Sequence, residues 1–305
     1  MGDKSAIQWT DATWNPVAGC SMVSAGCTNC YAMREAHRLA AMGSEKYEGL
    51  TVVQGGRPVW NGTVRLWEKN LKLPLKWKTP KRIFVNSMSD LFHESVSDEA
   101  ITKIFAVMAW AGQHTFQVLT KRPARMLEFM SRLGKSIAPL EAAAREIGLT
   151  FKFKSEGKEY SLLPWPIPNV WLGVSAEDQP TFDERVGFLR RTPAAVRWVS
   201  LEPLLGPIDT RATDGDGLPM LNWVVAGGES GLNARPFNLK WARDIVSQCK
   251  AAGIPCFVKQ LGKNPEEPIA SCPSRAMGLG LRDKKGGDWN EWPEDLRVRE
   301  YPKVR

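Results

Sequence analysis

The feature that most constrains this chain is a unit that recurs along it: a short apolar segment, then polar residues or glycine, then a helical pattern. The segments are rich in Val, Ile, Phe and Trp, which is typical of strands buried on both faces of a parallel sheet. Eight segments are predicted as strands: "AIQWT" (6–10), "TVRLW" (63–67), "RIFVNS" (82–87), "TFQVLT" (115–120), "NVWLGVS" (169–175), "VRWVSLE" (196–202), "LNWVVAGG" (221–228) and "PCFVKQ" (255–260). Helical patterns are predicted at 29–42, 68–77, 97–111, 121–132, 180–191 and 239–252. The alternation predicts a parallel α/β fold.

Eight strands of this kind fit a (β/α) barrel, complete or partial and TIM-like, with a doubly wound sheet as the alternative. Residues 43–62 contain "QGGRP" and "WNGT", which predict a hairpin insertion. Residues 133–168 are predicted as a second insertion that ends in the proline-rich "LLPWPIPN". Residues 263–305 show little periodicity and predict an irregular C-terminal tail packed on the barrel. We therefore expect a barrel domain over 1–262 and a tail over 263–305.

Polar and charged side chains follow almost every predicted strand. Ligands of parallel α/β proteins bind at the carboxyl ends of the strands. The residues placed there are Asn86, Ser87, Ser89, Asp90, His93, Thr120, Lys121, Arg122, Ser175, Glu177, Asp178, Glu202, Glu229, Ser230, Lys259 and Gln260. Their number predicts a polar pocket, whereas any one of them alone would be an ordinary cap or turn residue.

Three of the six cysteines, Cys20, Cys27 and Cys30, lie in one short segment, "AGCSMVSAGCTNCYAMREAH" (18–37). The N-terminus lacks the apolar core of a secretion signal, and no apolar run approaches the roughly 20 residues that span a bilayer. We therefore expect a cytoplasmic protein with no membrane partner and with reduced thiols. In that compartment, close cysteines indicate metal or redox chemistry.

Three thiols are compatible with several kinds of metal centre. Structural zinc takes four ligands, so zinc would need a distant fourth ligand such as Cys272 or His93. His37 is the nearest histidine, but it lies roughly 10 Å along a helix from Cys30. Iron–sulfur clusters are held by thiolates, and three protein ligands to a four-iron cluster leave one iron open. Cysteines gathered without metal are the remaining interpretation.

Basic charge is concentrated in two stretches of a chain whose net charge is +8. Residues 65–82 carry seven Lys or Arg against one Glu, with Trp67 and Trp77 among them, and 121–135 is the second basic stretch. Basic clusters interleaved with aromatics are typical of nucleic-acid binding. The alternative is a solvated basic face whose tryptophans pack inward.

The chain resembles a phage- and bacterium-associated, radical-SAM-like family with three cysteines, long classed as a domain of unknown function. The resemblance covers nearly the whole length. It is carried by "WTDATWNPVAGCSMVSAGCTNCYA" (9–32), "RIFVNSMSDLFHE" (82–94), "HTFQVLTKRP" (114–123), "VWLGVSAEDQ" (170–179), "VRWVSLEPLLGPI" (196–208), "WVVAGGESG" (223–231) and "KGGDWNEWPEDLRVREYP" (285–302).

The order of strand ends is also similar, more loosely, to that of spore photoproduct lyases, which are radical SAM enzymes of DNA repair. The resemblance implies that Cys20, Cys27 and Cys30 ligate a 4Fe-4S cluster. It implies that Ser89 or Asp90, Lys121 and Ser175 lie near bound S-adenosylmethionine. If the protein is such an enzyme, we expect Ser175 and Glu177 to hydrogen-bond the ribose, and Glu202 and Glu229 to orient substrate or relay protons; the alternative is a buried polar network. The first cysteine gap here is six residues, where three are usual.

Two functions follow as hypotheses. The first is an iron–sulfur, radical-SAM-type enzyme that takes electrons from a donor protein and acts on a nucleic acid or nucleotide-like substrate. The second is a nucleic-acid-binding protein in which the metal is a structural clip without catalysis. A structural zinc protein is colourless, whereas an iron–sulfur protein purified without oxygen is brown.

Overall fold

The structure is a computed structural model, which describes residues 4–149, 153–155, 158–160, 163–210, 221–231, 233–269 and 272–303; of 153–155, 158–160 and 272–274 only the backbone is described. The α-helices are α1 (Tyr31–Ala41), α2 (Asp98–Trp110), α3 (Pro123–Lys135), α4 (Ala138–Glu146), α5 (Gln179–Arg191) and α6 (Leu239–Ala252). The strands are β1 (Ala12–Trp14), β2 (Val17–Ala18), β3 (Thr51–Gln54), β4 (Arg57–Trp60), β5 (Arg65–Leu66), β6 (Arg82–Val85), β7 (Thr115–Thr120), β8 (Phe153–Ser155), β9 (Lys158–Tyr160), β10 (Val170–Ser175), β11 (Val196–Leu201), β12 (Trp223–Gly227), β13 (Phe237–Asn238), β14 (Cys256–Gln260), β15 (Pro265–Ile269) and β16 (Cys272–Gly278).

The main sheet has seven strands in the order β1-β6-β7-β10-β11-β12-β14. β6 pairs in parallel with β1 and β7, and β12 pairs in parallel with β11 and β14. The smaller sheets are β13-β15-β16 and the pairs β2-β5, β3-β4 and β8-β9. The predicted mixed α/β fold with a parallel sheet is confirmed, whereas a complete eight-stranded barrel is not shown.

The main sheet has seven strands and not eight because two of the predicted strands differ in the structure. Residues 6–10 do not form a strand, and β1 begins two residues later. The segment predicted at 63–67 contributes only β5, which pairs antiparallel with β2 outside the main sheet. The other six predicted strands are confirmed as β6, β7, β10, β11, β12 and β14.

The helix prediction fails at 68–77, where the chain forms two short 3₁₀ helices, Glu68–Asn70 and Leu73–Lys76. Pro74 explains this, because proline cannot donate a backbone hydrogen bond within a helix. The hairpin predicted over 43–62 is confirmed as β3 and β4. In 133–168, α4 was not predicted, and β15 and β16 lie where an irregular tail was expected. The boundary at residue 262 stays a prediction.

The chain divides into two compact units. The first comprises Met1–Met22, Ala32–Gly173 and Arg191–Val196, and the second comprises Val23–Tyr31, Val174–Arg190 and Arg197–Arg305. No helix in the described part of the chain is both long and apolar enough to cross a bilayer.

In the first unit, aromatic side chains of the core pack the segment after β6 against α2 and α3. Phe92, Phe105 and Phe129 pack with ring centroids 5.5–6.4 Å apart, and each buried side chain of this size contributes about 1.5–3 kcal/mol. Ser97 caps α2 by accepting a hydrogen bond from the Ala100 amide at 3.2 Å. The segment that follows β6 is thereby packed against two helices.

The core of the second unit is aromatic as well. Trp223 packs against Trp198 at 5.3 Å and stacks on Tyr301 at 5.6 Å between ring centroids. Its indole N–H donates to the Glu300 carbonyl at 2.8 Å, so the residues near the C-terminus are tied to β12. Gly253 ends α6 in the left-handed region, at φ 65°, which favours glycine.

Candidate functional site

Between β2 and Cys20 lies Gly19, at a position that only glycine fits. Gly19 has φ +92°, and a Cβ there would lie 2.1 Å from the Thr63 carbonyl oxygen. The Cys20 thiol is half-buried. Its sulfur lies 3.9 Å from Nη1 of Arg122, so a guanidinium contacts the first cysteine of the motif directly.

Arg122 is held in place by three further side chains. Its Nε donates to Glu94 at 2.9 Å, its Nη1 to Asp90 at 3.2 Å and its Nη2 to the Ser21 hydroxyl at 2.6 Å. Burial acts to lower the pKa of Arg122, but the charges of Asp90, Cys20 and Glu94 raise it above its ordinary value. A permanent cation at this distance favours the thiolate form of Cys20, which is the form that ligates metals.

Asp90 joins the ends of β6 and β7. Besides Arg122, its carboxylate accepts hydrogen bonds from the Phe92 amide at 3.0 Å, the Thr120 hydroxyl at 2.7 Å and the Lys121 amide at 3.0 Å. Ser89, one residue earlier, donates to the Val17 carbonyl of β2 at 3.0 Å. The first unit therefore brings Ser89, Asp90 and the Lys121 backbone to the segment that leads into Cys20, as the strand-end prediction requires.

His93 is buried next to the same network. Its Nε2 lies 2.9 Å from the Ser21 hydroxyl, and its Nδ1 accepts from the Ser95 amide at 3.1 Å. Burial and then the Arg122 charge lower the pKa of His93 below its ordinary value. The Nδ1 lone pair is used by Ser95, so this geometry does not favour His93 as a zinc ligand.

Cys27 and Cys30 lie in the second unit, in a turn just before α1. The Cys27 amide donates to the Ser24 carbonyl at 2.9 Å, and the Cys30 amide to the Cys27 carbonyl at 3.2 Å. Both thiols are half-buried. Local hydrogen bonds therefore shape this turn, and two carboxylates anchor it.

The first carboxylate is Glu177, which follows β10 and is fully buried. One oxygen accepts from the Gly26 amide at 3.2 Å, and the other from Arg185 at 3.0 Å. A Cβ on Gly26 would lie 3.0 Å from the Glu177 carboxylate, so the turn approaches Glu177 closely only because residue 26 is glycine.

The second carboxylate is Glu229, which follows β12. It accepts from the Asn29 amide group at 2.9 Å and forms an ion pair with Arg235. Arg235 also donates to the Ala25 carbonyl at 2.9 Å. Burial acts to raise the pKa of Glu229, but the hydrogen bonds of Arg235 and Asn29 outweigh burial and lower it.

Glu202 and Ser175 lie elsewhere in the second unit. Lys259 donates to both oxygens of Glu202, at 2.6 and 2.8 Å, and Gln260 donates to one of them at 3.2 Å. Ser175 is buried, and its carbonyl accepts from Arg185 at 2.7 Å. The catalytic role of Glu202 and the cofactor roles of Ser89, Asp90, Lys121, Ser175 and Glu177 stay predictions.

Asn29, Arg185 and Arg235 were not found by sequence reasoning, although each contacts the cysteine turn or its anchors. Arg185 lies eight residues after its partner Glu177 and Arg235 six after Glu229, which are not spacings of adjacent residues on a helix. Arg122 was placed at a strand end, but its contact with Cys20 depends on the fold and has no local signal.

Three half-buried thiols, one of them beside a guanidinium, make a donor set of the chemical kind that iron–sulfur clusters take. Among the described residues, no group of three or more His, Cys, Asp or Glu side chains is placed to hold a metal ion. Ligands of one zinc ion all lie about 2.0–2.3 Å from the same atom. The thiolates of a cluster bind different irons and lie farther apart, so this finding bears on zinc more than on a cluster. The Cys272 side chain lies outside the described residues.

The fold and these contacts define a mixed α/β protein with a cysteine segment anchored at both ends. The sequence over residues 4–293 matches the model of a family described as "Protein of unknown function (DUF5131)", and the chain belongs to that family. No curated protein and no solved structure matches it.

Proposed function

We propose that this protein is an iron–sulfur, radical-SAM-like enzyme whose 4Fe-4S cluster is bound by Cys20, Cys27 and Cys30. One observation carries the proposal: a C-x6-C-x2-C segment whose thiols are half-buried, the first of them 3.9 Å from Arg122. Cysteine ligands must be deprotonated, and a fixed guanidinium favours that state.

A 4Fe-4S cluster held by Cys20, Cys27 and Cys30 would supply one electron to the sulfonium of S-adenosylmethionine, whose C–S bond would break to give methionine and a 5′-deoxyadenosyl radical. In this proposal the ammonium group of Lys121 pairs with the carboxylate of S-adenosylmethionine. Ser175 and Glu177 bind near its ribose, and Ser89 and Asp90 shape the same end of the first unit. Glu202 and Glu229 orient the substrate or relay protons.

The proposal includes three broader elements. The main sheet would form part of a (β/α) barrel whose strand ends line the site. The protein would work in the cytoplasm, where thiols stay reduced. An electron-donor protein would reduce the cluster.

The test is anaerobic purification, followed by reduction and incubation with S-adenosylmethionine. We expect a brown protein that releases 5′-deoxyadenosine. Cys27→Ala should lose iron, whereas Cys249→Ala should keep it, because Cys249 is buried in α6. Full iron content in Cys27→Ala contradicts the proposed ligand set, and a brown protein that releases no 5′-deoxyadenosine contradicts the radical reaction.

The proposed substrate is a nucleic acid or a nucleotide-like molecule. A groove of about 480 Å³ in the first unit is lined by Lys69, Lys72, Lys76 and Lys103, with Glu68 and Glu146 as the acidic side chains. Lys103 forms an ion pair with Glu146 at 2.5 Å and Lys69 with Glu45 at 3.3 Å, so Lys72 and Lys76 supply most of the uncompensated positive charge. The same groove supports the second candidate function, a metal-clipped nucleic-acid-binding protein without catalysis.

Titration with labelled single- and double-stranded oligonucleotides at several salt concentrations tests this part. Replacing Lys69, Lys72 and Lys76 by Ala should flatten the salt dependence by about one unit for each of these lysines that binds a phosphate. Lys78→Ala is the matched control, because Lys78 lies in the same basic stretch but does not line the groove. No binding at low salt contradicts a nucleic-acid partner. Binding without 5′-deoxyadenosine release favours the second candidate.

A further inference from the structure

The turn that carries Cys27 and Cys30 is anchored through its backbone and through the Asn29 side chain. The Gly26 amide donates to Glu177, and the Ala25 carbonyl accepts from Arg235. Asn29 donates to Glu229. Each carboxylate is neutralised by its own arginine, since Glu177 pairs with Arg185 and Glu229 with Arg235.

We propose that Glu177 and Glu229 are positioning residues that hold residues 25–30 in the conformation a metal centre requires, before any metal binds. Two anchors at opposite ends of a six-residue turn leave little backbone freedom between them. A preorganised turn binds its ligand without a further loss of conformational entropy. The metal readouts below rest on the proposed function, whereas the exchange readouts of the metal-free protein do not.

The Glu229 anchor is tested by Asn29→Asp, which replaces a donor by a carboxylate facing Glu229. Amide hydrogen exchange of residues 25–30 in the metal-free protein should accelerate about tenfold, because a hydrogen bond to a charged group is lost and repulsion replaces it. Asn222→Asp is the matched control. Asn222 accepts a hydrogen bond from the Arg197 amide at 2.8 Å, and a carboxylate accepts equally well.

A swapped pair separates positioning from a general loss of structure. In Asn29→Asp combined with Glu229→Gln, the glutamine donates and the aspartate accepts, while the total charge next to Arg235 is unchanged. The Arg235 amide, which donates to Glu229 at 2.9 Å, and the Asn233 carbonyl, which accepts from Asn29 at 3.1 Å, stay mismatched, so exchange in residues 25–30 should return only part of the way to the wild type. Exchange as fast in the swapped variant as in Asn29→Asp alone contradicts a specific Asn29–Glu229 contact.

The Glu177 anchor is tested by Gly26→Ala, because removing Glu177 itself would leave the buried Arg185 without its counter-charge. An alanine methyl at residue 26 would lie 3.0 Å from the buried Glu177 carboxylate, which is paired with Arg185, so the turn or the carboxylate must shift by a few tenths of an ångström. Gly187→Ala in α5 is the control, since a Cβ there meets nothing within 4 Å. Exchange should accelerate in Gly26→Ala and not in Gly187→Ala.

Iron content after anaerobic reconstitution is the second readout. It should fall in Asn29→Asp and Gly26→Ala and recover in part in the swapped pair. Unchanged exchange in both single variants overturns the inference, even if the wild type binds iron. If exchange responds as expected but the wild type binds no iron, the anchoring stands and the proposed function is wrong.

Discussion

The two ends of the cysteine segment are held in different ways. At Cys20, the contacts are made to side chains: Arg122 reaches the sulfur itself and the hydroxyl of the neighbouring Ser21. At Cys27 and Cys30, the contacts are made mainly to the backbone of the turn, by Glu177 and by Arg235. One end is governed by charge next to a thiol, and the other by the geometry of a turn.

The difference separates two requirements of a thiolate metal site. A ligand must be deprotonated, and the ligands must be held at fixed positions. Arg122 addresses the first requirement at Cys20, whereas the two carboxylates address the second at Cys27 and Cys30. A substitution at either end should therefore have its own signature: altered thiol chemistry at one end and altered turn order at the other.

The largest expected effect is at the backbone-held end, in Arg185→Ala. The Arg185 and Glu177 side chains are only 4% and 1% exposed, so the variant leaves a buried carboxylate without its cation. Breaking such a pair costs about 3–5 kcal/mol of unfolding free energy. Urea unfolding should show a large drop in midpoint. Arg185→Ala combined with Glu177→Ala should recover part of it, because no unpaired charge remains.

The control for that variant is an exposed pair. Lys240→Ala breaks the Lys240–Asp244 ion pair, whose side chains are 64% and 42% exposed, and should leave the urea midpoint unchanged. Equal midpoints for Arg185→Ala and Lys240→Ala would show that the buried pair adds no more to the stability of the fold than an exposed pair does.

The backbone that leads to Cys20 is held as well, by Ser89 at Val17 and by Lys46 at Asn15. The buried ammonium group of Lys46 donates to the Asn15 carbonyl, between β1 and β2, and burial lowers the pKa of Lys46 to about 7. The unfolded lysine keeps its proton up to about pH 10.4, so the unfolded state binds more protons above pH 7 and stability rises with pH. Between pH 7 and 9 the gain is about 2–3 kcal/mol at about 1.36 kcal/mol per unit.

The measurement is the urea midpoint as a function of pH for the wild type and Lys46→Met. The variant should lose the rise between pH 7 and 9. Lys69→Met, at an exposed lysine, should keep it. Parallel pH curves for the wild type and Lys46→Met would contradict a buried amine that releases its proton near neutrality.

Asp90→Asn sharpens the comparison at the Cys20 end. The Asp90 carboxylate accepts from two backbone amides, a hydroxyl and Arg122, and its side chain is 8% exposed. Asparagine loses the charge that pairs with Arg122, and its NH2 group faces one of the donors that the carboxylate accepted from. This should cost about 2 kcal/mol of unfolding free energy. Glu94→Gln is the control. Glu94 also contacts Arg122, but its side chain is 70% exposed, so this variant should unfold near the wild-type midpoint.

The parts of the fold that the sequence predicts well are those where burial dominates. β6, β7, β10, β11, β12 and β14 are nearly continuous apolar runs, and all six lie where the pattern places them. The first strand was misplaced because residues 6–10 are equally apolar. Trp9 of that segment packs edge-on against Phe84 at 4.7 Å instead of joining the sheet, a choice that only tertiary packing decides.

The candidate site shows the same limit. Because parallel strands end at one edge, sequence reasoning placed Asp90, Glu177 and Glu229 after strands, and each indeed follows a strand of the sheet. Their partners could not be predicted in this way. Arg185 and Arg235 meet these carboxylates through a helix and a loop whose paths depend on the folded chain, and Gly26 carries no pattern that distinguishes it from an ordinary turn glycine.

The smallest expected effect, in Arg122→Gln, tests the charge at Cys20 directly. The guanidinium lies 3.9 Å from the sulfur, and its charge favours the thiolate, so Arg122→Gln should lower the thiolate fraction of Cys20. The alkylation rate of Cys20 near neutral pH should fall with it, because the thiolate is the nucleophile. Peptide mass spectrometry of the metal-free, reduced protein measures the rate at each cysteine separately, so Cys27 and Cys30 serve as internal controls. Arg122→Lys keeps a cation and should lose less than Arg122→Gln. If all three cysteines slow equally, Arg122 acts on the fold as a whole, and the distinction between a charge-held and a backbone-held end of the segment fails.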